Sequence, residues 1–282
     1  MSDRGILIFS YDGSFEGFLS AVFDSFSMKT IPADIVIADD MEPSLLKIHY
    51  VETNFEHAKR VETGIEKKLG ETVLNMVKRA FLFDGEGKEN AILRFIRKAF
   101  DEGRATGGKI GDESVNRIYK MCVAVNNEAE RFRQFTRFSD SNGALVAVIH
   151  PKHFVLPLIK PFFCARIKNE HFMIFDAEHG AALIHAPDRT AIIPVENLEL
   201  PETDDRFYSD LWKTYYRRIS IASRYNPTCR RNHMPKRFWQ YLPEVQEELE
   251  SSLVPKLSFG TSAQIAEDLR RNKKSLPEGE TV

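Results

Sequence analysis

The apolar residues of this chain change repeatedly between short continuous runs and a spacing of three and four residues. The run Ile6–Tyr11 predicts a buried strand. Asp12, Gly13 and Ser14 then supply turn and helix N-cap chemistry. The apolar residues that follow recur at helical spacing: Phe15, Phe18, Leu19, Val22, Phe23 and Phe26. This succession indicates a fold that combines strands with helices.

Further helices follow along the chain. Thr53 and Glu56 form a capping-box pattern at the start of the next one, whose apolar face extends to Leu69. The other helical patterns lie around Thr72–Phe83, Glu89–Phe100, Val115–Gln134, Val155–Arg166 and Phe207–Ile219. Asp101–Asp112 has four glycines and predicts a flexible connection. It is not a phosphate-binding loop, since no strand precedes it and no GK[ST] ends it.

The later strands are also short apolar runs. They are predicted at Lys47–Val51, Phe135–Phe138, Ala144–Ile149, Phe172–Phe175 and Ala181–His185. The last two are joined by Asp176–Gly180, a plausible hairpin loop. We therefore expect an α+β protein with a small mixed or antiparallel sheet surrounded by several helices, and a helical, basic C-terminal region.

The domain organisation is less sharply marked. The glycine-rich connection favours a strand-plus-helices part at residues 1–110 and a central α/β part with the basic segment at 111–250. One continuous domain over 1–250 is the alternative. Residues 251–282 are predicted to be a tail, partly disordered, because Arg270–Val282 is polar.

Composition indicates the class of protein and the cellular compartment. Its 43% hydrophobic and 28% charged residues are typical of a soluble globular chain. Cys122, Cys164 and Cys229 lie far apart, without the spacing of a disulfide framework, a zinc site or an iron–sulfur cluster. Acidic Asp3 and the absence of a long apolar run argue against a signal peptide and a spanning helix. We expect a cytoplasmic protein without metal, cofactor or membrane contact.

The segment Leu211–Pro243 has no Asp or Glu, yet holds eight Lys or Arg and both tryptophans. The whole chain has a formal charge of −2 and the segment contributes +8, so the remainder carries −10. Its cations are Lys213, Arg217, Arg218, Arg224, Arg230, Arg231, Lys236 and Arg237. Cations neutralise phosphates and aromatic rings stack on unpaired bases, so the segment predicts nucleic-acid contact. The alternative is an ordinary helix with buried aromatics and solvated Arg heads.

The aromatic residues of the segment divide into two groups. Helical spacing with Leu211 and Ile219 places Trp212, Tyr215 and Tyr216 in the core. Phe238 and Trp239 lie outside a clear amphipathic pattern and are the better candidates for an exposed aromatic surface. They could equally lock the end of the chain onto the core.

Catalytic chemistry is hard to find in the sequence. Five histidines fall in one stretch, His150, His153, His171, His179 and His185, at spacings that match no zinc motif, and are interpreted as surface or hairpin residues. Glu128 and Arg131 share a helix face, where a surface ion pair explains them. Arg133 and Arg137 could instead point at phosphate or a buried carboxylate. Cys122 lies on an apolar helix stripe and is expected in the core.

Six stretches together resemble a bacterial family of unknown function whose members are described as probable DNA metabolism proteins. They are YDGSFEGFLSAVFDSF (Tyr11–Phe26), EAERFRQFTRF (Glu128–Phe138), IHPKHFVLPLIKPFF (Ile149–Phe163), FMIFD (Phe172–Asp176), LWKTYYRRISIASRYNP (Leu211–Pro227) and HMPKRFWQYLPE (His233–Glu244). The last stretch is the most specific. The resemblance spans most of residues 5–245.

The resemblance implies a role beside DNA. Family members are usually encoded next to a putative DNA modification or repair radical SAM protein, and a similar domain is sometimes fused to a uracil-DNA-glycosylase-like domain. An iron–sulfur cluster would then belong to the partner. This chain departs from the family pattern at Glu130, Phe162–Phe163 and His179, where relatives tend to carry His, His-Phe and Arg. If the missing histidines are catalytic in relatives, this chain is inactive or only a binder.

The segment and the resemblance together give a candidate nucleic-acid-binding set: Arg131, Arg137, Arg166, Arg217, Arg224, Arg231, His233, Lys236, Arg237 and Trp239. The first hypothesis is a DNA-associated accessory protein that works with a radical SAM protein. The second is a scaffold that docks this partner. The third is an enzyme acting on DNA or nucleotides, with Glu128 as acid/base and Arg137 as phosphate anchor.

Overall fold

The computed structural model describes residues 7–38, 45–141, 143–195, 206–224 and 226–245. The chain divides into two compact units, Met1–Thr203 and Asp204–Val282. The connection Asp101–Asp112 lies inside the first unit, where Arg104–Gly108 forms a short 3₁₀ helix. The predicted tail at 251–282 lies outside the described residues.

The first sheet has three parallel strands in the order β2-β1-β3. They are β1 (Leu7–Tyr11), β2 (Asp34–Ile37) and β3 (Lys47–Tyr50). In the register, Phe9 pairs with Ile35 of β2 and with His49 of β3. Helix α1 (Phe15–Ser27) connects β1 to β2. The helix was predicted from the sequence, whereas the strand β2 was not. Phe9 and Tyr11 are buried, as expected for the apolar run that forms β1.

The turn between β1 and α1 is closed by one carboxylate. Asp12 accepts hydrogen bonds from the backbone N–H of Ser14 at 2.9 Å and from the hydroxyls of Ser14 and Thr53 at 2.7 Å. Helix α2 (Phe55–Leu69) is capped by Asn54, whose side chain accepts from the backbone N–H of Glu56 and His57. The hydroxyl of Thr53 donates to Asp12 instead, so the predicted capping box of Thr53 and Glu56 is wrong.

Four long helices pack with α1 in the core of this unit. They are α2, α3 (Glu71–Phe81), α4 (Lys88–Glu102) and α5 (Glu113–Phe135). Helices α3, α4 and α5 bury their apolar faces, as the spacing predicted. Helix α2 buries Ala58, Ile65 and Leu69, but Phe55 at its start is exposed. Tyr11 donates a hydrogen bond from its buried hydroxyl to Glu89 of α4 at 3.0 Å. Burial raises the pKa of Glu89 above its ordinary value, and the same burial beside Glu89 raises the pKa of Tyr11.

The second sheet has five strands in sequence order. They are β4 (Ser139–Ser141), β5 (Ala144–Ile149), β6 (Phe172–Asp176), β7 (Ala181–Ala186) and β8 (Arg189–Pro194). Helix α6 (Leu156–Arg166) connects β5 to β6, which pair in parallel, while the other pairs are antiparallel. The predicted hairpin over β6 and β7 is confirmed. The strand predicted at Phe135–Phe138 is wrong, because α5 extends to Phe135 and β4 begins at Ser139.

The described part of the second unit is helical. It comprises α7 (Arg206–Ile219), α8 (Pro227–His233) and 3₁₀ helices at Ala222–Arg224, Lys236–Tyr241 and Pro243–Val245. Asn226 caps α8 by accepting from the backbone N–H of Cys229, with Pro227 at the first helical position. The α+β class and the helical C-terminal region are confirmed, with one parallel and one mixed sheet in place of a single sheet. None of the helices in the described ranges is long and apolar enough to cross a membrane.

Candidate nucleic-acid interface

Helix α7 presents its apolar stripe to solvent. Four large side chains on this helix are exposed by 41% to 58%: Leu211, Trp212, Tyr215 and Ile219. The rings of Trp212 and Tyr215 lie 5.6 Å apart with an interplanar angle of 36°. The prediction that Trp212 and Tyr215 are core residues is therefore wrong. Helical spacing shows which residues share a face, but it does not show whether another element covers that face.

Trp212 is held in place by its polar edge. Its indole N–H donates to the carboxylate of Glu244 at 2.9 Å, which joins α7 to the last described 3₁₀ helix. Because this bond is at the edge of the indole, much of the ring face stays exposed. A ring that is already held in place loses less rotational freedom than a free one when a base stacks on it. Arg217 and Arg218 lie in the last turn of the same helix, where cations favour the helix dipole.

Phe238 and Trp239 are buried, so of the two predicted alternatives the exposed aromatic surface is wrong and the packing role is the one observed. They are 1% and 3% exposed, and the indole N–H of Trp239 donates to the carbonyl of Met234 at 2.8 Å. The guanidinium of Arg230 and the ammonium of Lys236 lie 5.2 and 5.7 Å from the centroid of this ring. The short 3₁₀ helix after Pro235 turns both aromatic rings inward. Trp239 is therefore not a base-stacking candidate. Its buried ring is a packing element and makes cation–π contacts with Arg230 and Lys236.

The predicted nucleic-acid-binding residues of the second unit, other than Trp239, lie at its surface. Arg217, Arg224, Arg231, His233, Lys236 and Arg237 are all exposed. The guanidinium of Arg237 lies 4.8 Å from the centroid of the Phe238 ring, and Arg231 donates to the hydroxyl of Thr228 at 3.5 Å. The unit therefore combines exposed cations and exposed aromatic rings within one short stretch of chain.

The other three arginines of the predicted set lie in the first unit. Arg131 is half-buried on α5. Arg137 is exposed, and its guanidinium donates to the carbonyls of Gln134 and Thr136. Arg166 is exposed at the end of α6 and lies 6.0 Å from the centroid of the Phe162 ring. Each of the three therefore lies on a separate element or loop of the first unit.

Glu128 is part of a buried polar connection. It is 4% exposed on α5, and its carboxylate accepts from the backbone N–H of His153 at 2.8 Å. His153 is also buried, accepts from the backbone N–H of Asp84 at Nδ1 and lies against the Phe83 ring, with centroids 4.5 Å apart. These contacts connect α5 to the loop after β5, so they explain Glu128 as a structural residue that orders that loop.

Asp176 and His179 form a second polar pair, which sequence analysis did not find. Asp176 ends β6 and is fully buried, and its carboxylate lies 2.8 Å from Nδ1 of His179. Burial opposes protonation of His179, but the hydrogen bond and charge of Asp176 outweigh it, and the pKa of this imidazole lies above its ordinary value. The only sequence signal was a His three residues after an Asp that ends a strand.

The three departures from the family pattern have structural partners. Glu130 forms an ion pair with Arg133 at 3.0 Å. Phe162 packs edge-on against Phe163 at a centroid distance of 5.1 Å, and His179 bonds Asp176 as described. Each of these side chains thus has a structural partner within its own part of the fold.

Metal and thiol chemistry find little support in the described ranges. No group of three or more His, Cys, Asp or Glu side chains there could hold a metal ion. Cys122 lies in the core as predicted, and burial raises the pKa of its thiol to about 11, so the nucleophilic thiolate is disfavoured at neutral pH.

Comparison with known proteins gives one family match. The model of a domain of unknown function, DUF4130, matches residues 86–244, which is more than half of the chain. No curated protein matches the chain.

Proposed function

The chain belongs to the DUF4130 family. We propose that it is a DNA-associated accessory protein that binds nucleic acid through Leu211–Pro243. The family description names no activity, so the proposal depends on the chemistry of this segment. Its resemblance to probable DNA metabolism proteins adds the setting: a cytoplasmic role in DNA repair or modification, beside a radical SAM protein that would hold the iron–sulfur cluster.

One observation carries the proposal. Trp212 and Tyr215 are exposed by 41% and 53% on a segment that has eight cations and no carboxylate. Exposed aromatic rings beside cations form the surface that binds single strands, because rings stack on bases and cations hold the phosphates. The remainder of the chain carries a formal charge of −10, so an anionic partner is attracted to this segment in particular.

The binding mode follows from this geometry. Arg218, Arg224 and Arg231 contact the backbone, and an unpaired base stacks on Tyr215 or Trp212. Since every base has a flat face, this mode favours single strands and carries little sequence preference. Trp239 contributes indirectly, because its buried ring supports the cations of Arg230 and Lys236.

Fluorescence anisotropy with labelled single-stranded and duplex DNA over a salt series tests the proposal. We expect affinity that falls steeply with salt, and a further loss of about 1–3 kcal/mol in Tyr215→Ala. Tyr50→Ala is the matched control, because Tyr50 is 66% exposed in the first unit. Equal affinity of both variants and the unchanged protein would remove Tyr215 from the interface. Absence of binding at low salt would refute the proposal.

A protein-docking function is the second candidate, and the aliphatic residues favour it. Leu211, Ile219 and Ile221 are exposed by 54% to 58%, and aliphatic chains stack poorly on bases but pack well against a protein. A pull-down with the radical SAM protein separates the two functions. Loss of capture in Ile219→Ser with unchanged DNA affinity would favour docking.

An enzyme acting on DNA or nucleotides is the third candidate. Its test is turnover of a damaged-base oligonucleotide by the purified protein, with loss in Glu128→Gln. The buried bond from Glu128 to the His153 backbone supports a structural role more than a catalytic one.

A further inference from the structure

Helix α2, in the first unit, carries an open groove of about 460 Å³. Its lining comes from one face of this helix: Glu56, Lys59, Arg60, Thr63, Gly64, Lys67 and Lys68. These positions recur every three and four residues and therefore follow one another along the helix. Gly64 leaves the middle of the groove open, because it has no side chain to fill it.

The groove is strongly cationic. It has four cations and one carboxylate, so its formal charge is +3. Within the described ranges, none of these four cations lies within ion-pair distance of an acidic side chain, whereas Lys78 pairs with Glu62 on another face of α2 at 2.6 Å. Arg104 adds a cation at the C-terminal end, where its guanidinium donates to the carbonyls of Lys67 and Lys68.

The spacing of the cations matches a chain of phosphates. Lys59 and Arg60 precede Lys67 and Lys68 by eight residues, which places the two pairs about 12 Å apart along the helix axis. Phosphates of one strand lie about 3.4 Å apart along a duplex axis, so the groove would span three to four of them with α2 parallel to that axis. Arg60 and Lys68 rest on the rings of Phe23 and Phe100, each 5.7 Å from the centroid, which limits their motion.

Interaction with the helix dipole explains the cations in only half of the groove. Lys67 and Lys68 lie in the last turn of α2, where cations favour the helix dipole. Lys59 and Arg60 lie in the second turn, nearer the positive end, where the dipole gives a cation no benefit. A ligand that carries repeated negative charge accounts for both pairs.

We infer that the α2 groove is a second nucleic-acid site that binds the phosphodiester backbone without reading the bases. It does not depend on the basic aromatic segment, since all of its residues belong to the first unit. Duplex DNA is the expected ligand, because the lining of the groove supplies cations for phosphates and includes no aromatic side chain on which an unpaired base could stack. Phe55 is exposed at the start of α2 but lies outside this lining.

The test is the salt dependence of binding to a labelled duplex of random sequence, measured on the full chain. Lys59→Gln/Arg60→Gln and Lys67→Gln/Lys68→Gln each remove two groove cations. Each is expected to flatten the slope of log Kobs against log salt by about 1–2. Lys120→Gln/Lys168→Gln removes two exposed cations elsewhere in the first unit and should leave the slope unchanged. Circular dichroism confirms that every variant is folded.

A slope that is equal in the groove variants and in the control variant would overturn the inference. The variant Arg217→Gln/Arg218→Gln, measured in parallel, reports on the basic aromatic segment. If only that variant changes the slope, the segment binds DNA and the groove does not. If only the groove variants change it, the groove is the duplex site, and the same Arg217→Gln/Arg218→Gln variant measured on a labelled single strand then decides the proposed function of the segment.

Discussion

The carboxylate of Asp176 lies 2.8 Å from Nδ1 of His179, at the point where β6 ends. The carboxylate also accepts from the backbone N–H groups of Glu178 and His179 at 3.2 Å, so it orders the whole loop between β6 and β7. The carboxylate is fully buried, whereas the imidazole is partly exposed and can exchange a proton with solvent. The charge of this pair therefore changes with pH through His179.

Stability should therefore depend on pH through His179. A pKa that is raised in the folded state gives a contribution that is complete below the ordinary value of 6.5 and is lost as pH rises through the folded pKa. We expect the free energy of unfolding of the unchanged protein to fall relative to that of His179→Gln as pH is raised above 6.5. Urea denaturation across this range measures it. His171→Gln, at an exposed histidine, is the control, and parallel curves for all three proteins would contradict the assignment.

The two tryptophans should respond differently to truncation. Trp239→Ala removes a buried ring and is expected to lower the free energy of unfolding by about 3–5 kcal/mol. Trp212→Ala removes a half-exposed ring and should instead weaken single-strand binding by about 1–3 kcal/mol, with a smaller effect on stability. Thermal melts and anisotropy on both variants measure this. The reverse pattern would restore Trp239 as the stacking residue.

Gly17 should be intolerant of a methyl group. A Cβ at this position would overlap the Asp12 carboxylate and lie 2.8 Å from the Thr53 hydroxyl. Gly17→Ala is expected to cost about 1–3 kcal/mol of stability, and the cost should shrink when Asp12 is already Ala. Gly64→Ala is the control, because its Cβ would meet only the Phe100 ring at 4.0 Å, and a helical Gly→Ala change there should be neutral or stabilising.

Arg224 offers a simple test of phosphate contact. It is exposed in the second unit, and Arg224→Gln should reduce the salt slope of single-strand binding by about 0.7, the value for one phosphate. Arg94→Gln removes an exposed arginine of the first unit and serves as the control. An identical slope in both variants would remove Arg224 from the interface.

The buried pair of Tyr11 and Glu89 predicts a second pH effect. Burial raises the pKa of Glu89, so keeping this carboxyl ionised costs stability once pH rises through its folded pKa, above the ordinary 4.5. Glu89→Gln keeps an acceptor for the Tyr11 hydroxyl and carries no charge. Relative to the unchanged protein, it should gain stability between acid and neutral pH, by denaturant titration. Glu170→Gln, at an exposed carboxylate, should show no such gain.

Much of the fold was predictable because its signals are local. The apolar run at β1, the helical spacing of α3, α4 and α5, and the β6–β7 hairpin were all found from the sequence. The strands β2 and β8 were missed, since Asp34–Ile37 is four residues long and Arg189–Pro194 is largely exposed and ends in proline. The apolar run of β2, Ile35–Ala38, has only four residues, the shortest that marks a buried strand, and that of β8 has only three, Ala191–Ile193.

The candidate site was predictable in its charge and not in its aromatic surface. The sequence alone determined the +8 segment and showed that Trp212, Tyr215 and Ile219 share one helix face. Only the tertiary structure decided that this face is exposed and that Phe238 and Trp239 are buried. Periodicity follows from the local geometry of one helix, whereas burial depends on which distant elements pack against it. For the same reason the α2 groove and the Asp176–His179 pair emerged only in three dimensions.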